Sequence, residues 1–374
     1  MGLTSNATLW TTAAAALLLF AGTVWQWPRL AGRGWRAVTG RVGLLLATQV
    51  ALFAAVGLAA NQAFGFYASW ADLFGKENDQ GVVVDHAEDG RPTGPLRVVD
   101  TRRLAGGGQT STSGQIQQVA VAGRTTGINS PAFVYLPPEY FDPQQRTRTF
   151  PAAVILTGYP GTAKALVDKL EYPRTARELA KAGRMEPTIL VMLRPTVAPP
   201  RDTECVDIPG GPQTESFFAK DLPEAVAAHY RVNKKPGSRW GVIGNSTGGY
   251  CALKLAMHHP DVFAAGAGLS PYYTAPSDPT TGDLFHGDKT RRAEADLRWF
   301  IKHRPAPDTS LLVTSSKVGE SDYKPTMKFI DMVKATKKTR ISSIILESGG
   351  HNFNTWRREI PATLEWVSGR LSSP

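Results

Sequence analysis

Residues 7–27, ATLWTTAAAALLLFAGTVWQW, carry no charged side chain, and this run limits the possible folds more than any other stretch. A helix of about 20 consecutive apolar residues spans the hydrocarbon core of a bilayer. A second run, VGLLLATQVALFAAVGLAA (42–60), is broken only by Gln49. Trp10, Trp25, Trp27 and Trp35 lie near the ends of the first run, and Phe64, Phe66, Tyr67 and Trp70 follow the second. Those positions fit an interfacial aromatic belt. Residues 1–70 therefore read as a transmembrane helical hairpin, with a buried hairpin of a soluble protein as the alternative.

All four basic residues of this region, Arg29, Arg33, Arg36 and Arg41, fall between the two runs. Lys and Arg favour the cytoplasmic side, so the loop 28–41 is expected inside and the chain after about residue 70 outside. A cleaved signal peptide fits less well, because no basic residue precedes the first run. The expected location is the cell membrane, with the remainder of the chain extracytoplasmic.

The net charge of +10 is unevenly spread over the 374 residues. The four arginines supply +4 without any acid, and the rest of the chain sets 38 bases against 32 acids. With no dense Lys/Arg run, nucleic acid is excluded as a partner, while weak attraction to anionic lipid headgroups is allowed. Two cysteines, Cys205 and Cys251, can build neither a disulfide framework nor a zinc site. They form one bridge or remain two buried thiols, the bridge requiring an oxidising compartment. Residues 71–114 are polar and rich in Gly, Ser and Thr, and read as a linker with one short strand at GVVVD (81–85).

From Gln115 to Pro374 the pattern changes. QIQQVAVAG and SPAFVYLPPEY read as strands, the second ended by Pro137-Pro138. FPAAVILTG (150–158), PTILVML (187–193), RWGVIG, VFAAGAGLS, SLLVTSS (310–316) and RISSIILES (340–348) alternate with helical patterns such as AKDLPEAVAAHYRV and KPTMKFIDMVKAT. Strands alternating with helices predict an α/β domain with a mostly parallel, doubly wound sheet. Ligands of such sheets bind at the carboxyl ends of the strands.

Gly244-Asn245-Ser246-Thr247-Gly248 matches G-x-S-x-G, with a strand before it and a helix after it. A nucleophile elbow needs that context, because its sharp turn brings the flanking positions into contact. Serine needs a base. Of the seven histidines only His351, in ESGGHNFNTW, follows both the serine and a strand end. His286 is the rival. His258 and His259 end the helix after Ser246 and read as structural, His86 lies in the linker, and His229 and His303 lie on helices or their ends. The third member is expected after SLLVTSS, where KVGESDY supplies Glu320 and Asp322. Glu320 is preferred as nearer the strand end, since Asp322 is placed to cap the next helix. The oxyanion hole needs two backbone N–H groups. Thr247 offers one, and Tyr159 in TGYPG offers the other because Pro160 has none. Asp202 and Glu204 sit in a long insert, 194–215, expected to be a solvated loop, with contact to a polar substrate as the alternative, and Tyr272, Tyr273 and Trp356 read as packing, Trp356 in a place to buttress the His351 loop.

With VYLPPEY, ILTGYPG, GNSTGGYCAL and GGHNFNTW in this order, residues 115–372 resemble the putative-esterase group of α/β-hydrolases, which includes esterase D and the antigen 85 mycolyltransferases of actinobacteria. The resemblance implies an α/β-hydrolase fold, Ser246 as nucleophile, His351 as base, an acid within 319–322, and Tyr159 and Thr247 amides in the oxyanion hole. The expected function is a membrane-anchored serine esterase acting on an ester or lipid substrate at the outer face. An acyltransferase moving an acyl chain to an envelope lipid or sugar hydroxyl is the first alternative, and a non-catalytic surface binding protein the second. Neither a cofactor nor a metal is expected.

Overall fold

The computed structural model describes residues 2–3, 5–64, 70, 94–104, 113–199, 201–234 and 239–371. The expected strand at 81–85 and His86 lie outside these residues. The chain divides into two units, Met1–Glu77 and Asn78–Pro374.

The first unit contains α1 (Asn6–Gln26) and α2 (Trp35–Phe64). Ser5 caps α1 by accepting from the Thr8 N–H, which satisfies one of the donors a helix start leaves free. Both helices are long and apolar enough to cross a membrane, and both turn large apolar side chains outward: Leu18 is 74% exposed and Phe53 77% exposed. Thr23 and Thr48 share a 3.0 Å hydroxyl hydrogen bond between the helices. Each hydroxyl also donates to a carbonyl one turn back, Leu19 or Leu44, so the polar pair is satisfied within the hairpin.

The second unit is built on a nine-stranded sheet in the order β1-β2-β3-β5-β4-β6-β7-β8-β9. The strands are β1 (Leu96–Arg103), β2 (Gln115–Ala122), β3 (Asn129–Leu136), β4 (Ala152–Leu156), β5 (Ile189–Leu193), β6 (Trp240–Asn245), β7 (Phe263–Leu269), β8 (Ser310–Val318) and β9 (Arg340–Ser348). The first three pair antiparallel, as do β3 and β5, and from β5 to β9 all pairs are parallel. Strand β1 corrects the expected linker: residues 96–103 pair with β2 as the sheet's edge. Arg97, Asp100, Arg102 and Arg103 break the hydrophobic alternation that marks a strand, but charges of this kind protect an edge from pairing with another chain.

Helices cover both faces. On one side lie α5 (Leu222–His229), α6 (Thr247–His258) and α9 (Tyr323–Lys334); on the other lie α4 (Tyr172–Lys181) and α10 (Phe353–Leu371). Shorter helices α3 (Ala163–Asp168), α7 (Lys289–Glu294) and α8 (Leu297–His303) fill the connections. Val154, Leu156 and Val242 enter one core while Ile155 and Ile243 enter the other. That alternation is why these strands are continuous apolar runs.

The insert 194–215 is not the solvated loop expected from its polar sequence. Thr203, Glu204 and Cys205 are at most 1% exposed. Cys205 is bridged to Cys251 on α6, with Cα atoms 5.6 Å apart. Lys254, one turn further along α6 and 2% exposed, donates to the Cys205 carbonyl at 2.6 Å and pairs with Glu215. Glu215 also bonds His258 Nδ1 at 2.8 Å and His259 Nε2 at 3.0 Å. These attachments exchange the insert's hydration for contacts with α6, and the Lys254 charge holds the Glu215 carboxyl well below its usual range against the opposing effect of burial.

Candidate active site

Ser246 lies between β6 and α6 with φ 54° and ψ −122°, a backbone that L-residues avoid. The turn that forces it is tight. A Cβ on Gly244 would sit 2.1 Å from the Gly248 oxygen, and one on Gly248 would sit 2.4 Å from the Leu156 oxygen. The serine's N–H donates to the Leu269 carbonyl at 3.0 Å, and its carbonyl accepts from the Tyr250 N–H to start α6. The helix N-terminus therefore points at the serine, and Thr247 contributes its first amide.

The loops after β8 and β9 lie side by side. Gly319 has φ 99°, and a Cβ there would meet the Gly349 oxygen at 2.0 Å. The Gly349 N–H donates to the Val318 carbonyl at 3.0 Å. Beyond this contact the chain places His351 Nε2 2.8 Å from Ser246 Oγ, across 105 residues of sequence. Loss of hydration lowers the His351 pKa below that of a free imidazole, and the Glu320 carboxylate opposes the shift. A shift of this sense favours the uncharged ring, the form in which an imidazole can accept a proton.

Glu320 and Asp322 face different surroundings. Glu320 accepts from the Ser270 hydroxyl at 2.5 Å and from the Ser316 N–H at 2.8 Å. Asp322 accepts from the Ser315 hydroxyl at 3.0 Å, and successive residues of a strand face opposite sides of the sheet. Burial, then the Glu320 charge, pushes Asp322 up to about 6. It occupies the N-cap position of α9 but makes no capping hydrogen bond. The charge acting on His351 is that of Glu320.

Gly158, at the end of β4, approaches the serine so closely that a Cβ there would be 3.0 Å from Ser246 Cβ. Tyr159 follows it, joined to Pro160 by a cis peptide bond. The loop carrying the Tyr159 amide thus borders the serine, beside Thr247.

The other histidines are occupied elsewhere. His286 is exposed on a turn closed by Asp283, His303 bonds the Trp299 carbonyl, His229 rests against Tyr230, and His258 and His259 serve Glu215. Among the described residues no group of His, Cys, Asp and Glu could hold a metal ion.

Three features escaped the sequence. Ser270 bonds Glu320, and Trp356 Nε1 donates to Ser270 Oγ at 2.9 Å besides setting its ring edge-on to His351. Glu204, expected on a solvated loop, is buried, with both carboxylate oxygens 2.6 Å from the Tyr272 hydroxyl. Tyr273 is packing as expected, stacked on Phe329 and bonded to Thr326.

Residues 123–367 match the family model described as putative esterase. An uncharacterized protein of Corynebacterium glutamicum is 25% identical over 274 residues, covering 69% of this chain and 62% of its own length. The chain thus spans less than two thirds of that relative. Among solved structures, an S-formylglutathione hydrolase from Agrobacterium tumefaciens superposes with a TM-score of 0.59 at 18% identity, covering 72% of this chain and all of its own. A fluorophosphonate-binding serine hydrolase of Staphylococcus aureus superposes with a TM-score of 0.54 at 16% identity, over 68% of this chain and 98% of its own. The fold is therefore that of the α/β-hydrolases.

Proposed function

The chain belongs to the putative-esterase family, and from that premise we propose that it is a membrane-anchored serine esterase whose catalytic unit faces away from the cytoplasm. The observation that carries the chemistry is the 2.8 Å contact between Ser246 Oγ and His351 Nε2 at a strained elbow. His351 takes the hydroxyl proton as Ser246 attacks the ester carbonyl, and returns it to the departing alcohol. Glu320 stabilises the imidazolium formed in between. The amides of Tyr159 and Thr247 receive the negative charge of the tetrahedral intermediate, where fixed donors need no reorganisation. Water, activated by the same imidazole, then releases the acid and restores the serine.

Two features support the location. Four arginines lie between the two apolar helices, which favours a cytoplasmic loop and an outward catalytic unit. The Cys205–Cys251 bridge suits an oxidising compartment.

Replacing Ser246 by Ala is expected to reduce hydrolysis of a short p-nitrophenyl ester by about a thousandfold or more. The same change is expected to abolish labelling by a fluorophosphonate probe. Turnover that survives the substitution would overturn the assignment.

A further inference from the structure

Ser270 is the first residue past β7 and is 1% exposed, with a left-handed φ of 47°. Its position is fixed from the backbone: the Ser270 N–H donates to Thr314 Oγ1 at 3.0 Å, and that hydroxyl donates on to buried Glu359 at 2.8 Å. Its side chain bridges Glu320 of the proposed triad and Trp356, which packs against His351. Trp356 Nε1 lies 2.9 Å from Ser270 Oγ, and Ser270 Oγ lies 2.5 Å from Glu320 Oε1.

The direction of this chain is chemically forced. An indole nitrogen can only donate, and a serine hydroxyl has one proton. Trp356 therefore takes a lone pair of Ser270, and the hydroxyl proton is left to point at Glu320. The second carboxylate oxygen accepts the Ser316 N–H at 2.8 Å. Both oxygens of Glu320 thus face donors, which fixes the carboxylate in place. The Trp356 ring also stands edge-on to His351, with centroids 5.2 Å apart. One indole touches the base directly and the acid through a single hydroxyl.

We infer that Ser270 and Trp356 are positioning residues, forming a one-way hydrogen-bond chain that holds the Glu320 carboxylate fixed so that its field acts on His351. The inference rests on the triad reading above, since Ser270 has no direct contact with the nucleophile.

The test uses the full chain in detergent with a short p-nitrophenyl ester. Ser270→Ala is expected to lower kcat roughly tenfold to a hundredfold, from loss of a charged hydrogen bond, with KM changed less than about twofold. Ser270→Gly removes the same hydroxyl while tolerating the left-handed backbone, so it must give the same fall even if the alanine variant folds poorly. Trp356→Phe, which keeps a ring against His351, is expected to cost only a few-fold because Ser270 can still donate. The decisive comparison is a cycle with Glu320→Gln: once the carboxylate is gone, Ser270→Gly should cost almost nothing further in kcat. A merely structural role predicts additive losses, and additivity would overturn the inference, as would an unchanged kcat in Ser270→Gly. Ser246→Ala separates the two levels: turnover surviving that change removes the triad and this inference together. Serine-dependent turnover with an unaffected Ser270→Gly removes this inference alone.

Discussion

Glu204 combines a left-handed φ of 48° with 1% exposure and a neighbouring acid, Asp202, that is 2% exposed. Burial, followed by the Asp202 charge, pushes Glu204 up to about 9, while burial pushes Asp202 up to about 6. Near neutral pH Glu204 is thus a neutral acid, hydrogen-bonded to Tyr272 and to Asp202. In the unfolded chain it ionises around its ordinary value of 4.5. Between these limits the folded state binds the extra proton, so this group's contribution to stability falls as pH rises from about 4.5 through 9. Glu204→Gln keeps the acceptor for Tyr272 and offers an amide to Asp202 without titrating. The variant is expected to be clearly more stable than wild type at pH 8 and to gain close to nothing at pH 5. Denaturant melts at the two pH values check this, and an equal gap at both would refute it. This acid lay in plain view in DTEC, but its burial depends on a disulfide partner 46 residues away. The same limit applies to the proposed triad. Ser246 and His351 were legible because each sits in a local pattern, a glycine-flanked turn or a strand end, that carries its own geometry. Glu320 and Asp322 stand two residues apart, and what separates them is Ser270, 50 residues upstream of Glu320. Ser270 has no local signature, because its partner Trp356 lies 86 residues downstream.

The insert 194–215 and helix α6 behave as one element, because the disulfide and the Lys254–Glu215 pair both join them. This matters for the site, since α6 begins at Thr247, directly after the proposed nucleophile. Closing a 46-residue loop restricts the unfolded chain by about 3–4 kcal/mol in the entropy model. Cys205→Ala with Cys251→Ala is expected to lower Tm by about 5–10 °C. Esterase activity per folded molecule at 25 °C should persist, because Lys254 still holds the insert through Glu215 and the Cys205 carbonyl. Reductant should reproduce the Tm loss in wild type and add nothing to the double variant; an unchanged wild-type Tm under full reduction would contradict the assignment of stability to this bridge. Strands β4 to β8 were readable as apolar runs that helices must cover, and β2, β3 and β9 were readable as strands without burial on both faces. Strand β1 was not, because LRVVDTRR carries its charges toward solvent at a sheet edge and gains its structure from pairing with β2. Pairing partners are chosen by the sheet, and no window of eight residues contains that information.

At the scale of the whole chain, the proposed function has the two units meet different solvents. The hairpin exposes Trp10, Leu18, Phe53 and Val56, which lipid accommodates at no cost and water does not. The second unit buries its apolar residues on both faces of its own sheet and closes its own loops, the disulfide included. A domain with its own core folds independently of a neighbour, so the hairpin's task under the proposed function is to fix where the ester is met. Deleting residues 1–77, the first unit, is expected to move the protein from the membrane fraction to the soluble one. Its kcat/KM on a water-soluble short ester should stay within about threefold of the full chain, since none of the triad or oxyanion groups lies in that unit. A substrate dispersed in vesicles should instead lose about tenfold or more, because anchoring raises the local concentration of enzyme at the lipid surface. Equal losses on soluble and vesicle-borne esters would show that the hairpin supports the catalytic unit itself, and would end its description as an anchor alone.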